Sequence, residues 1–148
     1  MRFQSGKYEG KTTEEILLKF PDWALWNVSN YPEAKHSKAF KELSDKFKVK
    51  PFTVPCDGGC GDTATRASAY RNSPSLMFWC DDCNPTQSGA SSAKLTIVRT
   101  IGEALRHIGY TAEGNRDWSR KIVRALAEGK GLPQRVGEKA ALAFFSSK

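Results

Sequence analysis

Apolar positions in the first fifty residues recur at intervals of three and four, the period of a helix with one buried face. Ile16, Leu17 and Phe20 share such a face, with Thr12 at the N-cap position and Glu15 three residues later to complete a capping box. Pro21 ends that helix. Asp22 is placed to cap a second, short helix over 23–28, in which Trp23 and Trp26 are expected to face the core together. Pro32 opens a third helix running to Lys48. His36, Phe40, Leu43 and Phe47 form its apolar stripe, and Lys35, Lys38, Lys41, Lys46 and Lys48 cover much of the remainder. His36, lying on the stripe, is expected to be structural rather than a ligand.

Beyond residue 50 the helical period stops. Pro51 and Pro55 flank the β-prone triplet Phe52-Thr53-Val54, an extended lead-in. Strands are predicted over 63–70 and 76–79 with Asn72-Ser73-Pro74-Ser75 as the turn between them, a β-hairpin. Asn84 to Ser92 is polar and small, the composition of a linker.

The helical period then returns. Ile97, Ile101, Ala104, Leu105 and Ile108 predict a helix over 94–107, closed by Gly109, with His107 favourably placed at its C-terminal end. Asp117 caps a helix over 118–128 that turns Trp118, Ile122, Val123 and Leu126 inward and Arg120, Lys121 and Arg124 outward. After a turn containing Gly129 and Gly131, Pro133 opens a last helix with Val136, Ala140, Ala143 and Phe144 on its apolar side. Three such helices fit either a plain bundle with a solvated basic face or a helix-turn-helix, in which Gln134, Arg135, Glu138 and Lys139 would face a groove.

All four cysteines fall inside the hairpin region. Cys56 and Cys60 are separated by three residues, Cys80 and Cys83 by two, and nineteen residues lie between the pairs. Two close pairs at such a spacing let two tight turns face each other and present four thiolates to a tetrahedral Zn²⁺. Gly58, Gly59 and Gly61 in the first turn permit positive φ and amides aimed at sulfur. Two disulfides are the alternative. No apolar run of signal-peptide length follows Met1-Arg2-Phe3, so a reducing cytoplasmic setting, and zinc, is the expectation. Four thiolates fill the coordination sphere, so the single Zn²⁺ expected at Cys56, Cys60, Cys80 and Cys83 is structural. The chain is thus expected to be α+β. Its expected parts are an N-terminal α+β module over 1–50, a zinc ribbon over 51–84, a linker over 85–93 and a basic helical module over 94–148.

The chain has 23 basic and 16 acidic residues, a net charge of +7. Residues 1–50 hold ten basic against seven acidic, 51–88 two against four, and 89–148 eleven against five. Four thiolates and one Zn²⁺ would reduce the total to about +5 and leave the ribbon acidic. Any polyanion is then expected to meet the flanking modules, with ordinary solvated charge as the plainer explanation of the same numbers. No stretch is apolar for eighteen residues, so no membrane partner is expected. Gly10-Lys11-Thr12 ends like a phosphate-binding loop, but Ser5 stands where that loop needs a glycine. Two distant histidines, no cysteine beyond the four and no acidic cluster except Asp81-Asp82 provide no catalytic constellation, and no enzymatic activity is expected. Asp81 and Asp82 are expected to support the metal knuckle or face solvent.

Phe3-x-x-Gly6-Lys7-Tyr8-x-Gly10-Lys11-Thr12, then Glu14-Glu15-Ile16 and Pro21-x-Trp23-x-x-Trp26, resembles the small domain at the C-terminus of exodeoxyribonuclease X-like proteins, also found in short stand-alone bacterial and phage proteins. Gln4 and Ser5 stand where that family usually has phenylalanine directly before glycine. The resemblance implies an accessory α+β module of nucleic-acid metabolism, with Lys7, Tyr8 and Lys11 meeting phosphate or base. It does not carry the family's exonuclease chemistry, which belongs to a separate domain. Adding the basic residues of the other parts gives an expected nucleic-acid contact set of Lys7, Tyr8, Lys11, Arg66, Arg71, Arg120, Lys121, Arg124 and Arg135. Tyr70, Phe78 and Trp79 are candidate stacking rings, though two of the three are expected to cover the hairpin instead. DNA is the favoured partner. An adaptor that uses a zinc-fixed surface to bind a partner protein is the alternative.

Overall fold

Residues 2 to 12 close on themselves before the first helix begins. Arg2 bridges Thr12, the Phe3 N–H donates to the Lys11 carbonyl at 3.0 Å, and the Gly10 N–H donates to the Phe3 carbonyl at 2.9 Å. The computed structural model of the chain describes residues 1–70, 76–83, 95–97, 100–103 and 116–146. Arg71, the expected turn at 72–75, the linker at 85–93, His107 and half of the expected helix over 94–107 lie outside the described residues.

Helix α1 (Thr13–Lys19) starts where expected: the Thr12 hydroxyl accepts from the Glu15 N–H at 3.2 Å. The Glu15 carboxylate instead pairs with Lys19 at 2.9 Å and Lys11 at 3.7 Å, side chains one turn away on either side. Helix α2 (Pro21–Asn30) begins two residues earlier than expected, because Pro21, with φ preset and no N–H to satisfy, occupies its first position. Asp22 is therefore no cap. Its carboxylate accepts from Arg120 at 3.1 Å, across the chain. Pro21, Ala24 and Asn27 centre the buried face of α2; Trp23 flanks it, whereas Trp26, two positions or about 200° beyond Ala24, is 53% exposed. The two tryptophans do not share the core.

Helix α3 (Lys35–Val49) buries Phe40, Leu43 and Phe47 as the stripe requires. His36 is half-buried, 3.1 Å from the Asn27 side-chain oxygen, and the Ser37 hydroxyl donates to the Asn27 carbonyl at 3.0 Å, tying α3 to α2. Strands β1 (Arg66–Tyr70) and β2 (Leu76–Trp79) form the expected antiparallel hairpin, with Arg66 opposite Trp79 and Ala69 opposite Leu76. A third strand, β3 (Leu95–Ile97), pairs with the other edge of β1, giving the order β2-β1-β3. Ile97 thus belongs to a strand and not to the helical stripe on which its spacing placed it. Leu95-Thr96-Ile97 has the β-branched composition of a strand and covers an edge of β1 that would otherwise be unpaired. Residues 101–103 are helical, with Ile101 buried.

Helix α4 (Arg116–Gly129) ends in a Schellman motif: Gly131 takes φ +108°, its N–H donates to the Glu128 carbonyl at 3.0 Å, and the Leu132 N–H reaches the Ala127 carbonyl at 3.0 Å. Helix α5 (Glu138–Ser146) starts later than Pro133 predicts, leaving residues 130–137 as the connection. That is about twice the three- or four-residue turn of a helix-turn-helix. The fold class is α+β. Helix α1 packs against α3, α4 and α5, and α2 against α3 and α4. Leu17, Phe40, Ile122, Leu126 and Phe144 accordingly belong to one core, so the boundary between N-terminal and C-terminal helices exists in sequence but not in packing.

The sheet docks on this helical body through the end of α4. Phe78 on β2 lies against Gly129 so closely that a Cβ there would stand 2.4 Å from the ring. The Thr53 N–H donates to the Gly129 carbonyl at 2.8 Å, and Phe52 meets Phe78 edge to face at 5.6 Å.

Candidate metal centre and basic surface

The turn after Pro55 is made by pairing Pro55 with Thr63 and by the Cys56 N–H donating to the Asp62 carbonyl at 2.8 Å. This reversal brings Cys56 and Cys60 opposite the turn that follows β2, which carries Cys80 and Cys83. The four sulfurs lie within 4.8 Å of one another, with Cys60 and Cys80 Sγ 3.5 Å apart and none joined in a disulfide. A tetrahedral centre with metal–sulfur bonds of about 2.3 Å places its sulfurs about 3.8 Å apart, so the cluster fits one ion held by all four. Backbone N–H groups of Cys80 (3.2 Å) and Gly58 (3.3 Å) point at Cys56 Sγ, as amides do around thiolate ligands.

The glycines serve two different purposes. Gly59 and Gly61 take φ of +74° and +85°, which the tight reversal needs. Gly58 does not have positive φ; a Cβ there would stand 2.8 Å from Cys83 Sγ, so glycine is needed for close approach to the sulfur cluster. Asp57 fastens the knuckle to the sheet: its N–H donates to the Phe78 carbonyl at 2.7 Å and its carboxylate accepts from the Phe78 N–H at 2.6 Å. Asp81 accepts from the Thr65 hydroxyl at 2.7 Å and from Arg66 at 3.1 Å. These contacts, Thr65 first, hold its carboxyl below the usual range. Asp81 thus clamps the open end of the hairpin rather than supporting a sulfur.

Burial works to raise the Cys56 thiol, but the N–H groups of Cys80 and Gly58 outweigh it and bring it down to about 7. Cys83 is pushed up to about 12 by hydrogen bonding with Cys80, Cys60 and Cys56. Four sulfurs this close cannot all carry charge unless a cation sits among them, which is the electrostatic demand a metal ion meets. Four cysteines therefore form a centre able to hold a metal ion. Comparison with protein-family models, with curated proteins and with solved structures finds no match. No helix among the described residues is long and apolar enough to cross a membrane.

The predicted nucleic-acid contacts separate into two groups. Tyr8 is corrected by the structure: 6% exposed, it stacks on Phe20 and meets Trp23 edge to face, both at 4.8 Å, because the closed loop over 2–12 folds its ring inward. Arg120 pairs with Asp22 and lies over the Phe20 ring at 4.8 Å. Arg124 donates to the Gln134 carbonyl at 2.6 Å, Arg66 is held by Asp81, and Lys11 faces Glu15. These four cations are already engaged by groups of the chain itself. Lys7, Lys121 and Arg135 are exposed, and Arg71 lies outside the described residues.

Two features were not among the predicted sites. Lys35, Lys38, Lys41, Lys46 and Lys48 are all exposed on α3, and Lys41 and Lys48, seven residues apart, stand nearly in line with Lys38 beside them. Their spacing was visible in the sequence, although it read as ordinary helix solvation. Lys130 is 5% exposed, and its ammonium donates to the carbonyls of Phe47 (2.7 Å), Lys50 (2.9 Å) and Lys48 (3.4 Å), closing the C-terminal end of α3. It also lies 5.0 Å from the ring centres of Phe47 and Phe52. No local motif foretells this contact, since its partners are eighty and more positions away.

Proposed function

We propose that the protein is a non-catalytic, zinc-containing accessory protein of nucleic-acid metabolism, acting in the cytoplasm and binding DNA mainly through phosphate contacts. The metal is read as one structural Zn²⁺: an all-thiolate tetrahedral set suits zinc and leaves no coordination position for water or substrate. The resemblance of residues 3–26 to the exodeoxyribonuclease X-like C-terminal domain supports the same setting. The observation that carries the reading is the lysine face of α3, five exposed ammonium groups on a fifteen-residue helix with Lys38, Lys41 and Lys48 grouped along one side. Such a row can track a phosphate backbone, and Lys7, Lys121 and Arg135 can add further contacts. The ribbon, locally acidic, then acts as a brace rather than as the contact surface.

The test is affinity for single- and double-stranded oligonucleotides measured across salt concentration. Phosphate binding predicts that log K falls linearly with log salt, by about 0.7 per contact for single strands and 0.9 for duplex. Replacing Lys38, Lys41 and Lys48 with glutamine should flatten that slope. Absence of binding at low salt sinks the reading. A second reading, a protein-binding adaptor, is favoured by Trp26 and Tyr31, which are 53% and 57% exposed and meet edge to face at 5.7 Å. In that case Trp26→Ala abolishes partner capture and salt has little effect.

A further inference from the structure

Helices α2 and α3 are joined by four residues, 31–34, and the two large aromatic side chains that are exposed among the described residues both stand at this elbow. Trp26 lies on the outer side of α2, and Tyr31 is the residue that ends it. Their backbones are fixed. The Trp26 carbonyl accepts from the Asn30 side chain at 2.8 Å, the Tyr31 N–H donates to the Asn27 carbonyl at 2.7 Å, and the Tyr31 carbonyl accepts from the Ala34 N–H at 3.1 Å. The rings meet edge to face, 5.7 Å apart at 67°. At that angle the ring that offers its edge keeps both faces clear of its neighbour. The other tryptophans, Trp23, Trp79 and Trp118, are half-buried, and Trp79 is held further by its indole N–H on Ser68 at 2.8 Å.

Taken alone, the pair would serve a protein partner equally well; its surroundings decide against that. Ser29, Asn30, Pro32, Glu33 and Lys35 around it are exposed and mostly polar. The other exposed large apolar side chains are elsewhere, Met1 and Leu142 beside Glu14 and Val49 at the far end of α3. Trp26 and Tyr31 therefore lack the wider apolar patch around which a protein hot spot is built. What adjoins them is positive charge. Glu33 is the acid of the elbow and faces Lys38 at 3.6 Å, whereas Lys35, the residue after the turn, has no acidic partner among the described residues. The hydrogen-bonded turn holds the Cα atoms of Tyr31 and Ala34 within about 7 Å, so the Lys35 ammonium can reach the phosphate beside a base seated on the rings. From Lys35 the lysines of α3 continue to Lys48, a rise of about 20 Å.

We propose that this elbow is a stacking site for an unpaired base of single-stranded nucleic acid, with the base on Trp26 and Tyr31 and the adjoining phosphates on Lys35 and the α3 row. Rings supply the sequence-tolerant contact and lysines the backbone contact, the combination that suits a single strand. In an intact duplex each base face is already covered by its neighbours, so the site selects against duplex. It rests on the nucleic-acid reading above and narrows the ligand to single strands.

The zinc-loaded full chain is titrated across salt with a single-stranded oligonucleotide and with the blunt duplex of the same length. Wild type is compared with Trp26→Ala, Trp26→Phe, Tyr31→Ala and Lys35→Gln. Wild type should bind the single strand more tightly than the duplex. Trp26→Ala should weaken single-strand binding by roughly five- to one-hundred-fold and leave its salt slope unchanged, because stacking releases no counterions. Trp26→Phe keeps a stacking face and most of the affinity, while Lys35→Gln lowers the slope by about 0.7. Duplex affinity should not change in either alanine variant. Both rings are exposed, so the variants should keep the wild-type urea midpoint, and Tyr31→Ala keeps the test valid should Trp26→Ala perturb folding. Alanine variants that bind single strands as wild type does, with the same slope, overturn the stacking site and leave the phosphate reading intact. An equal loss for duplex and single strand overturns it as well. A chain that binds neither form at low salt overturns both and leaves the two rings to a protein partner.

Discussion

Gly129→Ala asks whether the ribbon is seated on the helical body as described, because two effects of opposite sign compete at this position. In an open helix the substitution is favourable by up to about 1 kcal/mol. Gly129 has no positive φ to lose. The new Cβ, however, would lie 2.4 Å from Phe78 Cε1 and 2.7 Å from its Cζ, where carbon atoms pack best at about 3.5–4.0 Å. The ring would have to move by more than about 1 Å. Phe78 is held in place by Phe52 and, through its backbone, by Asp57. Overpacking of this sort costs about 1–3 kcal/mol, so the net expectation is destabilisation of about 1–2 kcal/mol after the helix gain is subtracted. For a chain of this size that lowers Tm by roughly 2–6 °C. The assay is urea unfolding with the metal site saturated, run in the wild-type background and with Phe78→Leu. The smaller side chain should let the Cβ in, giving a coupling of about 1 kcal/mol between the two changes. A urea midpoint that rises on Gly129→Ala, by the same amount in both backgrounds, would refute the docking of Phe78 on α4.

Gly58→Ala should weaken metal binding by one to two orders of magnitude, roughly the effect of disturbing a ligand's immediate support, because its Cβ would press on Cys83 Sγ; competition with a chromogenic chelator measures it. Lys130 titrates at about 8 in the folded chain against 10.5 for an ordinary lysine. The unfolded chain therefore holds more protons between those values, and stability should rise with pH from about 8 to about 10.5, a rise that urea midpoints should no longer show in Lys130→Met. Tyr8→Ala removes a core ring and should cost about 3–5 kcal/mol by chemical denaturation. Under conditions where that variant is folded, its oligonucleotide affinity should match wild type, since the ring faces Phe20 and Trp23.

The sequence was most legible where chemistry depends on near neighbours. The cysteine spacing, the Thr12 cap and the Phe40-Leu43-Phe47 stripe each required only residues a few positions apart, and each is found in place. It was least legible where a side chain's partner is far along the chain. Arg120 reads as a solvent-facing cation on its own helix, yet Asp22, ninety-eight positions away, receives it. Lys130 lies between Gly129 and Gly131 in what reads as a plain turn, and only the fold reveals that it closes α3. Tyr8 fails for a related reason: a tyrosine between two glycine-lysine pairs looks exposed until the Arg2–Thr12 bridge folds the loop inward. For Ile97, both periods fitted the apolar positions, and pairing with the free edge of β1 decided for a strand. The glycines teach the same lesson in miniature, since Gly58 was expected for its dihedral freedom and is needed for its missing Cβ.

Native mass spectrometry of the purified chain tests the central claim most directly, namely that one zinc, held by Cys56, Cys60, Cys80 and Cys83, organises the ribbon and braces it on the helical body. The account predicts a single zinc per chain, lost together with the ordered ribbon on chelation and not acquired by Cys56→Ser. A metal-free chain lighter by the four thiol hydrogens, as two disulfides would make it, and with an unchanged fold, would contradict it.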